Sequence, residues 1–399
     1  MTRLHLRPRL KKIAVKLHPY FNRLFLLLAA VALIILGTYA ARAWRGKDYD
    51  FRERFNEYHS FSQQVYPNTH LKIAGKPKAT VNSVYPAYAF PMFAYFFGTG
   101  SMAVGRIMLQ VTSLAALGVM IWQGSKALSR VGVQSVALSA LAVIAFSGNR
   151  PAMILGQFSL ISMGLVTLQA VLLERKRPAL AGLCWALAMI KPQIALPFAL
   201  LFILRRDWRG VAVGAAVLIA LTAVTMLWTG VNLHDLVQAG PMRENLNFMK
   251  QSRYSAGIWI QTLHVAPRVA TAIALIVLSI LGVLLLVRDF RKVQIFPYAS
   301  AVCGALGFVL FYHRCYDIIM LFPLVFATLQ RGHLNRWKLA DILITVALVF
   351  AVYVPESFLL KNHMNGWITF LATTAACLRL FIPQHRSPET LSLGGEHCR

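Results

Sequence analysis

Long apolar runs alternate with short polar breaks along this chain, and the charges sit mostly in the breaks. Runs near 20 residues recur from position 24 onward, with no strand-like alternation to compete with them. A helix needs about 20 apolar residues to cross a hydrocarbon core of about 30 Å, so the pattern predicts an all-α, polytopic integral membrane protein of about 11 transmembrane segments. Three regions follow: a basic N-terminal segment (1–20), a membrane domain (21–382) with outer loops at 44–85 and 230–268, and a polar tail (383–399).

The first run, 24–41, follows a stretch rich in Lys and Arg and free of acid. It is too long and ends too late for a cleaved signal peptide, so it is expected to be an anchor with a cytoplasmic N-terminus. The loop 44–85 then faces outward. A short apolar piece ending near Gly98 precedes a full-length one from Ser101, and the pair makes one net crossing. Residues 133–147 run outward, 148–157 form an outer turn, and 158–173 return to Arg175, Lys176 and Arg177. Residues 178–204 are apolar except for Lys191-Pro192-Gln193 and carry basic flanks at both ends. One helix of that length would run about 40 Å, too long for an untilted crossing, so two half-helices with Lys191 at the tip are expected, Pro192 breaking the helix. Further segments are expected at 211–229, 270–287, 295–311, 318–329, 339–354 and 367–382.

Charge narrows the partners. A formal net charge of +27 would point a soluble protein toward nucleic acid, but here the basic residues flank apolar segments, so membrane lipids and lipid phosphates are the expected partners, not nucleic acid. The outer loop is itself basic, with Arg45, Lys47, Arg52, Arg54, Lys72, Lys76 and Lys78, which weakens charge counting there and suits an anionic lipid donor. Of the five cysteines, none falls in a CxxC spacing, and no metal or cofactor is called for.

The acids stand out against this background. Only 14 are present, yet Asp48, Asp50, Glu53 and Glu57 fall within ten positions at a membrane boundary. From Asp50 onward, Phe51, Phe55, Tyr58, Phe61 and Val65 recur at helical spacing, which predicts an amphipathic helix lying on the bilayer with its aromatic face down. In that helix Asp50 is a candidate for chemistry or else an N-cap, with Glu53 completing a capping box and Glu57 solvated.

The order of Asp50-Phe51, Tyr66-Pro67, Tyr85-Pro86, Gly156-Gln157, Lys191-Pro192 and His313 through Asp317 with Pro323 resembles glycosyltransferase family 87 over about residues 20–330. Two departures stand in it: Ala87 follows Tyr85-Pro86 where the family has a second proline, and Phe158 replaces a polar residue after Gly-Gln. The resemblance implies a GT-C-like fold with a large first outer loop. It also implies an enzyme that moves a hexose, mannose favoured, from a polyprenyl-phosphate sugar donor to a lipid or glycan acceptor on the outer, periplasmic face of the plasma (inner) membrane. Such transfer needs a base for the acceptor hydroxyl and cations for the leaving phosphate. Asp50 takes the place of the family's catalytic acid, with Asp48 in reserve. Lys191, and with it Arg314, is expected at the donor phosphate, against the alternative that Lys191 snorkels or marks a kink. Asp317 is expected to bind sugar hydroxyls, unless it and Arg314 form an internal ion pair. Tyr85, Gln157, Gln193, His313 and Tyr316 are candidate substrate-binding groups or interfacial anchors. The rival readings are a lipid-linked sugar flippase, which would keep its function without the loop carboxylate, and an oligosaccharide ligase or polymerase.

Overall fold

The computed structural model describes residues 7–239 except 72, 74 and 134, scattered positions of 264–280, 294–334 except 312, 337–354, and 364–381. Described residues form helices and turns, with no strand among them. The first helix, α1 (Arg7–Arg42), extends well before its apolar run, and ends at a kink where Gly46 has φ +87°. After it come α2 (Tyr49–Ser62), α3 (Ala89–Phe97), α4 (Met102–Ser129), α5 (Val136–Ile144), α6 (Asn149–Leu155) and α7 (Ser159–Glu174). Next are α8 (Pro178–Ala188), α9 (Pro192–Arg205), α10 (Trp208–Thr229) and α11 (Leu233–Ala239). The last part holds α12 (Ser300–Leu310), a tight 3₁₀ segment (Cys315–Leu321), α13 (Phe322–Leu334), α14 (Leu339–Tyr353) and α15 (Met364–Phe381).

Three helices among the described residues are long and apolar enough to cross a membrane: Arg23–Gly46, Met102–Ser129 and Trp208–Thr229. The bent pair α5 and α6, angled by 57°, makes a fourth if it counts as one span. Their outer surfaces are greasy and unpartnered, as at Ile34, Ile219 and Leu227, which suits lipid contact. Among the described residues only these reach spanning length; the other apolar helices there run 10–17 residues, about 15–26 Å at the α-helical rise. The turn expected at 148–157 is instead mostly α6, whose entry is fixed by Asn149 Nδ2 donating to the Val143 and Ile144 carbonyls. Most of the second outer loop, with Arg243, Glu244, Lys250 and Arg253, lies outside the described residues, as do most of the 270–287 segment and the tail.

The half-helix expectation is met in shape. Trp185 Nε1 donates to the Ala195 carbonyl at 2.9 Å, and the Trp185 and Phe202 rings stand 6.1 Å apart. A continuous helix would separate residues 185 and 202 by about 25 Å, so α8 and α9 double back on each other. Helix α10 packs on α8 so tightly that a Cβ on Gly182 would fall 2.2 Å from the Gly210 carbonyl oxygen.

Helix α2 corrects the expectation of an amphipathic helix on lipid. Its aromatic face is buried against protein: Phe51 and Phe61 pack with Phe90, Phe93 and Phe97 of α3. The reason is in α3, which is almost wholly aromatic and apolar and offers a better partner for that face. Helix α10 ties the layer down, since Trp228 Nε1 donates to the Phe61 carbonyl and the Thr225 hydroxyl to that of Ala87, each at 2.8 Å.

Candidate active site

A cavity of about 370 Å³ opens between α2, the 81–86 stretch, the tip of the α8–α9 hairpin and the start of the 3₁₀ segment. Asp50, Tyr85, Gln157, Gln193, Arg314 and Tyr316 line it, so six of the ten residues picked from sequence share one wall system. Glu53, Arg54, Asn56, Glu57 and Asn82 complete its polar lining.

Asp50 is not a cap. Asp48 occupies the N-cap of α2 and makes no side-chain cap bond, while Asp50 sits in the first turn and accepts a hydrogen bond from Gln157 Nε2. That contact depends on Gly156. With φ +73° it turns the chain back on α2, and a Cβ there would stand 2.4 Å from Phe51 Cβ. Only glycine allows both the left-handed backbone and the approach. Phe158, on the far side of Gln157, is stacked on Phe93 with ring centroids 5.5 Å apart, so its apolar side chain belongs to the aromatic layer.

Asp48 takes no part in the cavity wall. It is buried between Arg52 Nε at 3.0 Å and Arg106 Nε at 2.5 Å, an ion triad that pins the start of α2 to α4. Arg106 carried no signal in the sequence beyond being a charge in an apolar run.

Lys191 and Asp317 lie behind the cavity, 1% and 0% exposed in their side chains, with Nζ 2.7 Å from Oδ1. Lys191 Nζ also donates to Ser159 Oγ at 2.5 Å and to Gln157 Oε1 at 3.0 Å, and lies 4.1 Å from the centre of the Tyr316 ring. Asp317 further accepts from the Ser159 hydroxyl at 2.9 Å and the Arg314 backbone N–H at 3.3 Å, with His313 Nδ1 at 3.4 Å from Oδ2. His313 is buried, stacked on Phe308, with Nε2 donating to the Gly307 carbonyl at 3.0 Å. These contacts make a relay. An ammonium only donates, so the Gln157 amide must turn its oxygen to Lys191 and its NH₂ to Asp50. Asp317 holds Lys191, Lys191 orients Gln157, and Gln157 occupies one oxygen of Asp50.

Glu57, expected to be solvated, is 1% exposed and pairs with Arg54, Oε1 to Nη1 at 2.9 Å. Arg54 also meets Glu53 Oε2 at 2.8 Å and lies over the Tyr85 ring at 4.6 Å. Burial pushes the Glu57 carboxyl up to about 7, against the pull of Arg54 and a contact from Ser83. The sequence signal for this pair was their i, i+3 spacing; that both are buried depends on the 81–86 stretch folding over them.

These features define a class: a helical membrane protein whose short helices surround a polar cavity walled by carboxylates, amides and guanidinium groups. The model of glycosyltransferase family 87 matches residues 84–312, more than half of the chain. The chain belongs to glycosyltransferase family 87 and is a membrane glycosyltransferase. No curated protein and no solved structure matches it.

Proposed function

We propose that the protein transfers a hexose, with mannose favoured, from a polyprenyl-phosphate sugar to a hydroxyl of a lipid or glycan acceptor, with inversion, on the outer face of the plasma membrane. The observation that carries this reading is the placing of Asp50 and Arg314 on one cavity, with Asp50 held by Gln157. In the proposed step the acceptor oxygen bonds to the anomeric carbon as the bond from that carbon to the phosphate oxygen breaks. Asp50 takes the acceptor's proton through the oxygen that Gln157 leaves open. Arg314 meets the negative charge that grows on the departing polyprenyl phosphate, an interaction strongest where water is scarce. Lys191 acts from behind by fixing Gln157, and its charge is balanced by Asp317. Gln193 and Tyr316 border the donor sugar. A GT-C-like fold with its cavity at the outer surface fits a donor whose lipid tail stays in the bilayer.

The test is direct. Purified protein is incubated with radiolabelled polyprenyl-phosphate mannose, glucose or arabinose and a membrane extract. Label from the mannose donor is expected in a membrane acceptor; label from none of the three would end this reading and favour lipid-linked sugar transport or a diphosphate-linked donor.

A further inference from the structure

We propose that the Glu57 end of the cavity is the acceptor subsite and that it takes a neutral, hydroxyl-rich sugar ring; the assignment as an acceptor rests on the transfer reading above. Helix α2 turns Asp50, then Glu53 and Arg54, then Asn56 and Glu57 toward the same cavity. The helical rise puts Glu57 about 10 Å along the axis from Asp50. A ring with one hydroxyl at Asp50 therefore extends toward Glu57.

Three buried atoms of the Arg54–Glu57 pair make no hydrogen bond, Arg54 Nη1 among them although it keeps its ion pair with Glu57 Oε1. The other two are Glu57 Oε2 and Arg54 Nε, on side chains 2% and 8% exposed. Buried polar groups of this kind are costly and are rarely left so without a reason. One is an acceptor and the other a donor, and a sugar hydroxyl is the group that serves both, giving its hydrogen to Glu57 and receiving one from Arg54. A phosphate or carboxylate has only acceptors to offer. It would meet the Glu57 and Glu53 oxygens, while the Arg54 charge is already engaged by both carboxylates. The Asn56 side chain adds an amide to the same wall, again suited to hydroxyls.

Binding and turnover test this separately. The full chain in lipid nanodiscs, with its donor place filled by saturating polyprenyl phosphate, is titrated with n-octyl mannoside and with n-octyl mannoside 6-phosphate, followed by ligand-observed NMR. The neutral glycoside is expected to bind and the phosphorylated one not to. At about pH 8, where the Glu57 carboxyl is ionised, Glu57→Gln should weaken binding about tenfold, by loss of one charge-assisted hydrogen bond. Asn56→Ala, at an exposed position that threatens the fold less, should weaken it about threefold. In transfer assays both variants should raise the acceptor KM while the donor KM stays put. Equal binding of the two glycosides, or neutral binding unmoved in both variants, would overturn the subsite. If the wild type binds n-octyl mannoside through Glu57 yet transfers no label from any polyprenyl-phosphate sugar, the transfer reading fails and the sugar subsite stands. If it transfers label with an acceptor KM unmoved by both variants, the subsite alone fails.

Discussion

Glu57 shows how one buried side chain links fold, pH and site. Its carboxyl, raised by burial from 4.5 to about 7, holds a proton in the folded protein over a range where the unfolded chain has released it. The folded state binds more protons between those two values, so this group's contribution to stability declines as pH rises through that window. Glu57→Gln removes the titration. The melting temperature of the variant relative to wild type should rise between about pH 5 and about pH 7, and a constant difference would contradict the burial account. Lys191 carries a second prediction. Lys191→Met leaves Asp317 buried without its main counter-charge, at a cost of about 3–5 kcal/mol, and a double change with Asp317→Leu should recover most of it. A Lys191→Met protein that melts like wild type but no longer binds donor would return Lys191 to the phosphate. At this scale the sequence pointed to Asp50 because acids are scarce and it follows a span. It did not point to Ser159, nor to the burial of Arg54, since periodicity tells which face a residue is on but not what meets that face.

Among the elements, α2 was readable from apolar periodicity, α4, α7 and α10 from continuous apolar runs, and the α8–α9 hairpin from length and basic flanks. Helix α6 was not, because seven residues with a proline at the third position show no period. The turn between α6 and α7 is where fold and chemistry join. Gly156→Ala would force a side chain into Phe51 from a left-handed backbone. We expect a loss of about 1–3 kcal/mol in unfolding free energy and, in whatever folds, transfer reduced because Gln157 no longer meets Asp50. Normal stability and turnover in this variant would mean that the approach of α6–α7 to α2 is looser than the structure shows. The lipid-facing orientation expected for α2 failed for a related reason: an aromatic stripe reads the same whether it meets lipid or the aromatic helix α3.

For the whole molecule, composition alone established a helical membrane protein, and the family match establishes a glycosyltransferase. The number of crossings was less legible, because broken and half-length helices share the hydropathy of complete spans. Orientation is a prediction from charge: a reporter fused after Arg177 or Arg209 should read cytoplasmic, and one at Gly75 external. External labelling after Arg209 would invert the hairpin and remove the cavity from the outer face. The measurement nearest the central claim is the transfer rate of Asp50→Asn beside Asp48→Asn. Asn has nearly the shape of Asp and its amide oxygen can still accept from Gln157 Nε2, so a purely structural Asp50 would tolerate the change. As the general base it would not, and a loss of about 10² to 10⁴ in rate with donor binding kept is expected, provided the protein elutes and melts as folded. Asp48→Asn should lower stability through Arg52 and Arg106 and spare the chemistry of what folds. Wild-type transfer by Asp50→Asn would contradict the account.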